Sequence, residues 1–383
     1  MWAGFATRAK LEEWSDETRL ELLKNTVRLD EETHAGVYRA AEQAAVALGL
    51  EGLERHCYQA PTSPMGVNAS LYFVPEALHV VLQGDVIGLL DEDELLALFG
   101  HEYAHHRLWG MDEGAYLVAD RLLSMNAGLD HSEPAQVRTA ENQRLFTELV
   151  ADRGAALAAG SWEAAVRCLV KVETGLAEAS AQAYLEQARE VLEAPGESGE
   201  VTAGERTHPE TYMRAHAVER WFVAGAEAEA ELARLVKGPL RLQGLDFEDQ
   251  VRLAVLTRRW VSLVLAPAWM RTELLVGHVR LLFADWSADE STDESADPGL
   301  IAELRGTLPG LESYWLALLL DLALVDPSLE DLPMVRALVL AQELGLREAF
   351  EGLARTELGM TKKLLTQLWR DRESLLEAAE KLS

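Results

Sequence analysis

Cysteine is nearly absent from this chain of 383 residues: Cys57 and Cys168 stand far apart, without a CxxC or similar spacing. A disulfide framework is therefore excluded, and both read as small buried hydrophobes. Positive charge is scarce as well, with 35 basic against 64 acidic residues and a formal net charge of −29. Binding to nucleic acid rests on clustered Lys and Arg that neutralise phosphate, so nucleic acid is excluded as a partner and anionic membrane surfaces are disfavoured. Long hydrophobic runs are missing too. The most apolar windows, Val261 to Met270 and Tyr314 to Val325, are too short to cross a bilayer, and the second carries Asp321. The N-terminus has neither the basic start nor the apolar stretch of a signal peptide, so a soluble cytoplasmic protein with no membrane span is the expectation.

What is present is ample core material. Apolar residues make up 49% of the chain, with 10 Trp and 8 Phe, so the acidity reads as a solvated surface and not as disorder. The length predicts two units. Leu11 to Leu50 has helical spacing. Short apolar runs around Cys57, Ser70 to Val74 and Leu78 to Leu82, separated by Pro61, Pro64, Gly66 and Pro75, predict a small antiparallel sheet. Asp91 with Glu94 three residues on forms a capping-box pattern, which predicts a helix over 91–108. A second helix is predicted over 141–159, stopped by Gly160, with Ser161 capping the next from Trp162. Glu193 to Arg206 reads as a loop. Beyond Trp221 the pattern is helical to the end, broken at Gly244, Pro267, Ala288 to Pro298, Pro309 and Pro327. The predicted class is thus α+β and mostly helical: residues 1–225 with the small sheet, then an all-α domain over 245–383.

The chemistry concentrates in His101-Glu102-Tyr103-Ala104-His105. Histidines at i and i+4 of a helix share one face, so both imidazoles can reach one tetrahedral zinc. Glu102 then lies beside the metal, where a carboxylate can take a proton from an activated water and pass it to a leaving amine. Glu148 and Asp152 are also one turn apart on one face. Glu148 completes a His2Glu ligand set for one zinc per chain, and Asp152 can hold the distal nitrogen of a ligating histidine. His106 points about 100° away round the helix, His131 lies in a loop as a reserve ligand, and His216 reads as a helix-surface residue.

Leu95 to His106 with Gly100 before the first histidine, followed by Glu148-Leu149-Val150-Ala151-Asp152-Arg153, resembles the HtpX, BepA and CAAX-prenyl-protease group of gluzincin zinc metallopeptidases. Thr207-His208-Pro209 through Arg214 is similar to that group's HP…R segment. The resemblance spans Glu32 to Trp221. It implies a zinc endopeptidase with Glu102 as general base, His208 and Arg214 steadying the oxyanion, and a strand before the active-site helix binding extended peptide. HtpX and the prenyl proteases are embedded in membranes, so a prenylated substrate is not carried over. Met111 to Thr139 is long enough to cover the cleft. Near the C-terminus, Ser313 to Leu346 loosely resembles TerB-type helical domains, although Asp326 is followed by Pro327 where those domains have Asp-Gly. The helical half is expected to dock a protein partner, self-associate or restrain the site. A second reading makes the whole chain a catalytically silent, zinc-stabilised interaction protein.

Overall fold

The computed structural model describes residues 8–61, 66–127, 131–193, 211–290 and 298–382. Its chain forms two compact units, 1–238 and 239–383. In the first unit the helices are α1 (Arg8–Asn25), α2 (Ala35–Ala47), α3 (Val86–Leu89), α4 (Glu92–Trp109), α5 (Ala115–Ala127), α6 (Pro134–Ala159), α7 (Trp162–Thr174), α8 (Ala181–Glu193), α9 (Thr211–Ala224) and α10 (Glu229–Lys237). The strands are β1 (Val27–Arg28), β2 (Glu54–Gln59), β3 (Asn68–Val74) and β4 (Ala77–Gln83).

The sheet is mixed, which corrects the antiparallel expectation. Its order is β1-β2-β4-β3, with β2 parallel to β4 and both other pairings antiparallel. The reason lies in β4, whose residues from Ala77 to Leu82 are all buried and demand a central position. Its hairpin partner β3 is pushed outward and becomes an edge strand. Leu78, Val80 and Leu82 pack with Cys57 and Ala69 towards α2 and α4, while Val81 and Tyr58 meet Leu22 of α1 on the opposite face.

The boundary of the first unit extends beyond the expected 225. Helix α10 buries Leu232 and Val236 against Leu145, Leu149 and Met213, so residues 229–237 complete this unit's core. Helix α6 also starts earlier than 141. Pro134 occupies its first turn and Glu133 forms a capping box with Gln136. The loop expected over Glu193 to Arg206 lies outside the described residues, save Glu193, which ends α8.

All regular structure described in the second unit is helical: α11 (Phe247–Val264), α12 (Glu273–Leu282), α13 (Pro298–Gly306), α14 (Leu308–Leu324), α15 (Leu332–Leu344), α16 (Arg347–Leu358) and α17 (Lys362–Leu382). The break expected at Pro309 falls at Thr307, between α13 and α14, and Pro309 itself sits in the first turn of α14, where a proline lacks no needed N–H. The core is built on the fully buried Trp260, Trp286 and Trp315. The indole N–H of Trp286 donates to Ser262 Oγ at 2.9 Å, and that of Trp315 to Thr307 Oγ1 at 2.9 Å, so neither is left unpaired. Asp326 accepts from the backbone and hydroxyl of Ser328 and thereby shapes the turn before α15. Among the described residues, no helix is long and apolar enough to cross a membrane.

Candidate metal centre

Two carboxylates begin helix α4 and aim it. Asp91 accepts the Glu94 N–H at 2.8 Å and Glu94 accepts the Asp91 N–H at 3.0 Å, closing the capping box expected there. Glu94 is buried and also takes Arg167 Nε at 3.0 Å and Lys171 Nζ at 2.7 Å, which ties the start of α4 to α7. One residue before His101, Gly100 faces Gly154 of α6. A Cβ on either would collide with the other's carbonyl oxygen and with an alanine of the facing helix, Ala158 or Ala104. This bare crossing lets the two helix backbones approach, and the approach brings His101 and His105 to Glu148 and Asp152.

The four side chains converge. His101 Nε2 and His105 Nε2 lie 3.2 Å apart, and the Glu148 carboxylate is 3.6 Å from the first and 3.8 Å from the second. Donor atoms on a tetrahedron around zinc, at about 2.0–2.1 Å from it, sit roughly 3.3 Å from one another. His101, His105 and Glu148 form the group of the described residues that can hold a metal ion; their donor atoms all fall within 4.8 Å. Among the described residues, His105 Nδ1 and Glu148 Oε2 are buried without a hydrogen bond. Arg214 Nη1 approaches that oxygen to 3.1 Å, close enough for charge attraction but off hydrogen-bond alignment. A pair of imidazole nitrogens facing each other beside an unsatisfied carboxylate oxygen fits a divalent cation with nitrogen and oxygen ligands.

Around this set stands a supporting shell. Asp152 Oδ1 lies 3.1 Å from His101 Nδ1, which directs the other ring nitrogen to the centre. Arg214 of α9 grips the same carboxylate with two bonds, Nε to Oδ2 at 2.8 Å and Nη2 to Oδ1 at 2.6 Å. Trp109 stacks on His105 with ring centroids 5.3 Å apart.

Electrostatics follow from burial and these contacts. Burial alone would lower the His101 pKa, but its bond to Asp152 and the charges of Asp152 and Glu148 outweigh it and hold the imidazole above its ordinary value. His105, desolvated and next to His101, is pushed down to about 4. Burial opposes charge on Glu148 and Asp152, yet Arg214 and the histidines hold both carboxylates low. Burial raises the pKa of Glu102, outweighing the charge of His101 and the backbone N–H of Leu71 on β3, which act to lower it.

His106 turns away and places Nε2 2.9 Å from the carbonyl oxygen of Val74. His131 is exposed and outside the ligand group. His216 is half-buried, with Nε2 3.9 Å from Glu231, and is not the surface residue expected. His208 lies outside the described residues. Of Met111 to Thr139, α5 borders the cleft through Asp120 and Ser124. Gly154, Trp109 and the pairing of Glu94 with Arg167 and Lys171 belong to no motif of the sequence; a glycine in a helix interior is the one signal for the first.

No curated protein and no solved structure matches the chain. The model of peptidase family M48 matches residues 30–222, half of the chain, and that stretch contains every residue of the converging set. The chain therefore belongs to peptidase family M48, a family of metal-dependent peptidases that act on proteins or peptides.

Proposed function

We propose that this protein is a zinc endopeptidase, with His101, His105 and Glu148 as metal ligands and Glu102 as the general base. The observation that carries this reading is the convergence of two imidazole nitrogens 3.2 Å apart on the Glu148 carboxylate, with the buried Glu102 carboxylate one residue along the same helix. A zinc ion held there supplies a Lewis acid for the scissile carbonyl and lowers the pKa of water. Glu102 takes the proton of the attacking water and delivers it to the leaving amine nitrogen. The backbone N–H of Leu71 on the edge strand acts on Glu102 and favours its ionised form.

Asp152 keeps His101 in the tautomer whose Nε2 lone pair faces the metal. Arg214 spends its bonds on Asp152 and its charge on Glu148, which favours a positioning role over the oxyanion role implied by the resemblance. The test is metal analysis with kinetics on a peptide library. One zinc per chain is expected, and Glu102→Gln should keep the metal while lowering kcat by about 10²–10⁴. A metal-free protein, or undiminished cleavage by Glu102→Gln, would overturn the reading. A zinc-loaded protein that cuts nothing in the library would favour the silent interaction protein instead.

A further inference from the structure

The cleft over the metal centre, about 770 Å³ in volume, has two chemically different ends. Its direction is readable because β3 and α4 run side by side in the same sense. Leu71 meets Glu102, Val74 meets His106 at 2.9 Å, and Phe73 meets Trp109 edge-on at 6.2 Å. The Asn68 end of β3 therefore lies by the first turns of α4, where Leu98, Ala165, Cys168, Leu169 and Val172 form an apolar wall. At the other end, past His105, stand Trp109 and the face of α5 that carries Asp120 and Ser124.

An extended peptide adding to the free edge of β3 is expected to pair antiparallel, the stronger ladder. Residues before the scissile bond then fall at the Trp109 and Asp120 end, and those after it fall against the apolar wall. Helix α5 is fixed close to the centre. Tyr116 Oη lies 2.6 Å from the hydroxyl of Thr147, the neighbour of Glu148, and Asp120 is one turn beyond Tyr116 on the same face. Asp120 is a half-buried carboxylate with no side-chain hydrogen bond among the described residues, and its neighbour Arg121 acts on it through charge. Arg144, a cation on the same wall, acts on Glu141. A carboxylate beside a hydroxyl and an indole is the set that receives an alkylammonium or guanidinium group. The first unit also holds 40 of the 64 acidic residues and 20 of the 35 basic ones, a field that draws in cations.

We infer that Asp120 makes this cleft selective for peptides with a lysine or arginine shortly before the scissile bond. A strand advances about 3.3 Å per residue, so a reach of roughly 10 Å covers about three positions. The inference rests on the endopeptidase reading, and two readouts separate their fates. One peptide series carries Lys, Arg, norleucine or Glu at each of those three positions. Cleavage is read as the ratio of kcat/KM values, and binding as fluorescence anisotropy on the zinc-loaded Glu102→Gln protein. The parent should favour Lys and Arg over norleucine by about tenfold to a hundredfold. Asp120→Asn should bring that ratio near unity and Asp120→Lys should turn it towards Glu, which a merely structural defect would not do. Cleavage with no preference for cations, or a preference that Asp120→Asn leaves intact, overturns the inference while upholding the peptidase. Absence of cleavage together with a binding preference that Asp120→Asn abolishes upholds the subsite and removes the peptidase reading. Neither cleavage nor preference defeats both.

Discussion

Helix α4 carries two buried charged clusters two turns apart, and they behave in opposite ways. At its start, Glu94 is saturated: Arg167 bonds one oxygen, and Lys171 and the Asp91 N–H bond the other. In its middle, His101, His105 and Glu148 crowd together and leave His105 Nδ1 and Glu148 Oε2 without hydrogen bonds. Both clusters bolt α4 to another helix, to α7 in one case and to α6 in the other. Buried charge therefore does not mark a site on this protein. Convergence of two imidazole nitrogens on a carboxylate oxygen that lacks a hydrogen bond does, since such an arrangement is costly unless something fills its centre.

The largest expected effect breaks the second cluster. His105→Ala removes one of three protein ligands, so bound metal should fall from one per chain to near zero and peptidase activity below detection. Chelation should lower the melting temperature of the parent, because metal bound only by the folded state stabilises it, and should leave His105→Ala unmoved. A variant that kept stoichiometric metal would show that the convergence is not a ligand set. The first cluster should answer differently. Glu94→Gln strands the buried Lys171 without its counter-charge and leaves Arg167 only Asp91, 3.9 Å away, and should cost about 3 kcal/mol in denaturant unfolding, while bound metal stays at one per chain. Loss of metal at unchanged stability would erase the distinction between the clusters.

A smaller effect tests their borderline, the shell that supports the metal ligands. Asp152→Asn keeps the shape but removes the charge that Arg214 and His101 share. Zinc affinity, read by competition with a chelator, should fall about 10–100-fold with the fold intact. An unchanged affinity would assign Asp152 to packing alone.

Much of this contrast was legible in the chain because it is local. Histidines four apart, Glu148 and Asp152 four apart, the capping pair Asp91 and Glu94, and the left-handed Gly160 that ends α6 are all relations within a few residues. What escaped is long-range. Gly100 needs Gly154, and Glu94 needs Arg167 and Lys171 more than 70 residues on; periodicity carries no such pairing. The parallel pairing of β2 and β4 was missed for the same reason, since alternation marks a strand but not its neighbour. The start of α6 had a local signal, Glu133-Pro134 with Gln136, which reads equally as a turn.

The smallest expected effect uses a third buried polar group, one that lies outside both clusters. His79 on β4 is fully buried; Tyr58 Oη lies 3.0 Å from its Nδ1, His56 stacks on it at 4.8 Å, and its Nε2 has no partner among the described residues. Desolvation, helped by the charges of His56, Arg19 and His106, pushes its pKa down to about 4. An unfolded histidine takes up a proton near pH 6.5. Below that pH the unfolded chain binds a proton that the folded chain refuses, so this contribution is whole above about pH 6.5 and drains away as the pH falls towards 4. By pH 5.5 the loss is about 1 kcal/mol relative to neutrality. His79→Phe should flatten the stability profile of the zinc-loaded protein between those limits by about one proton. An unaltered profile would mean that the unpaired Nε2 finds a partner on protonation, and that a lone unsatisfied nitrogen, unlike a converging set, is absorbed by the fold at little cost.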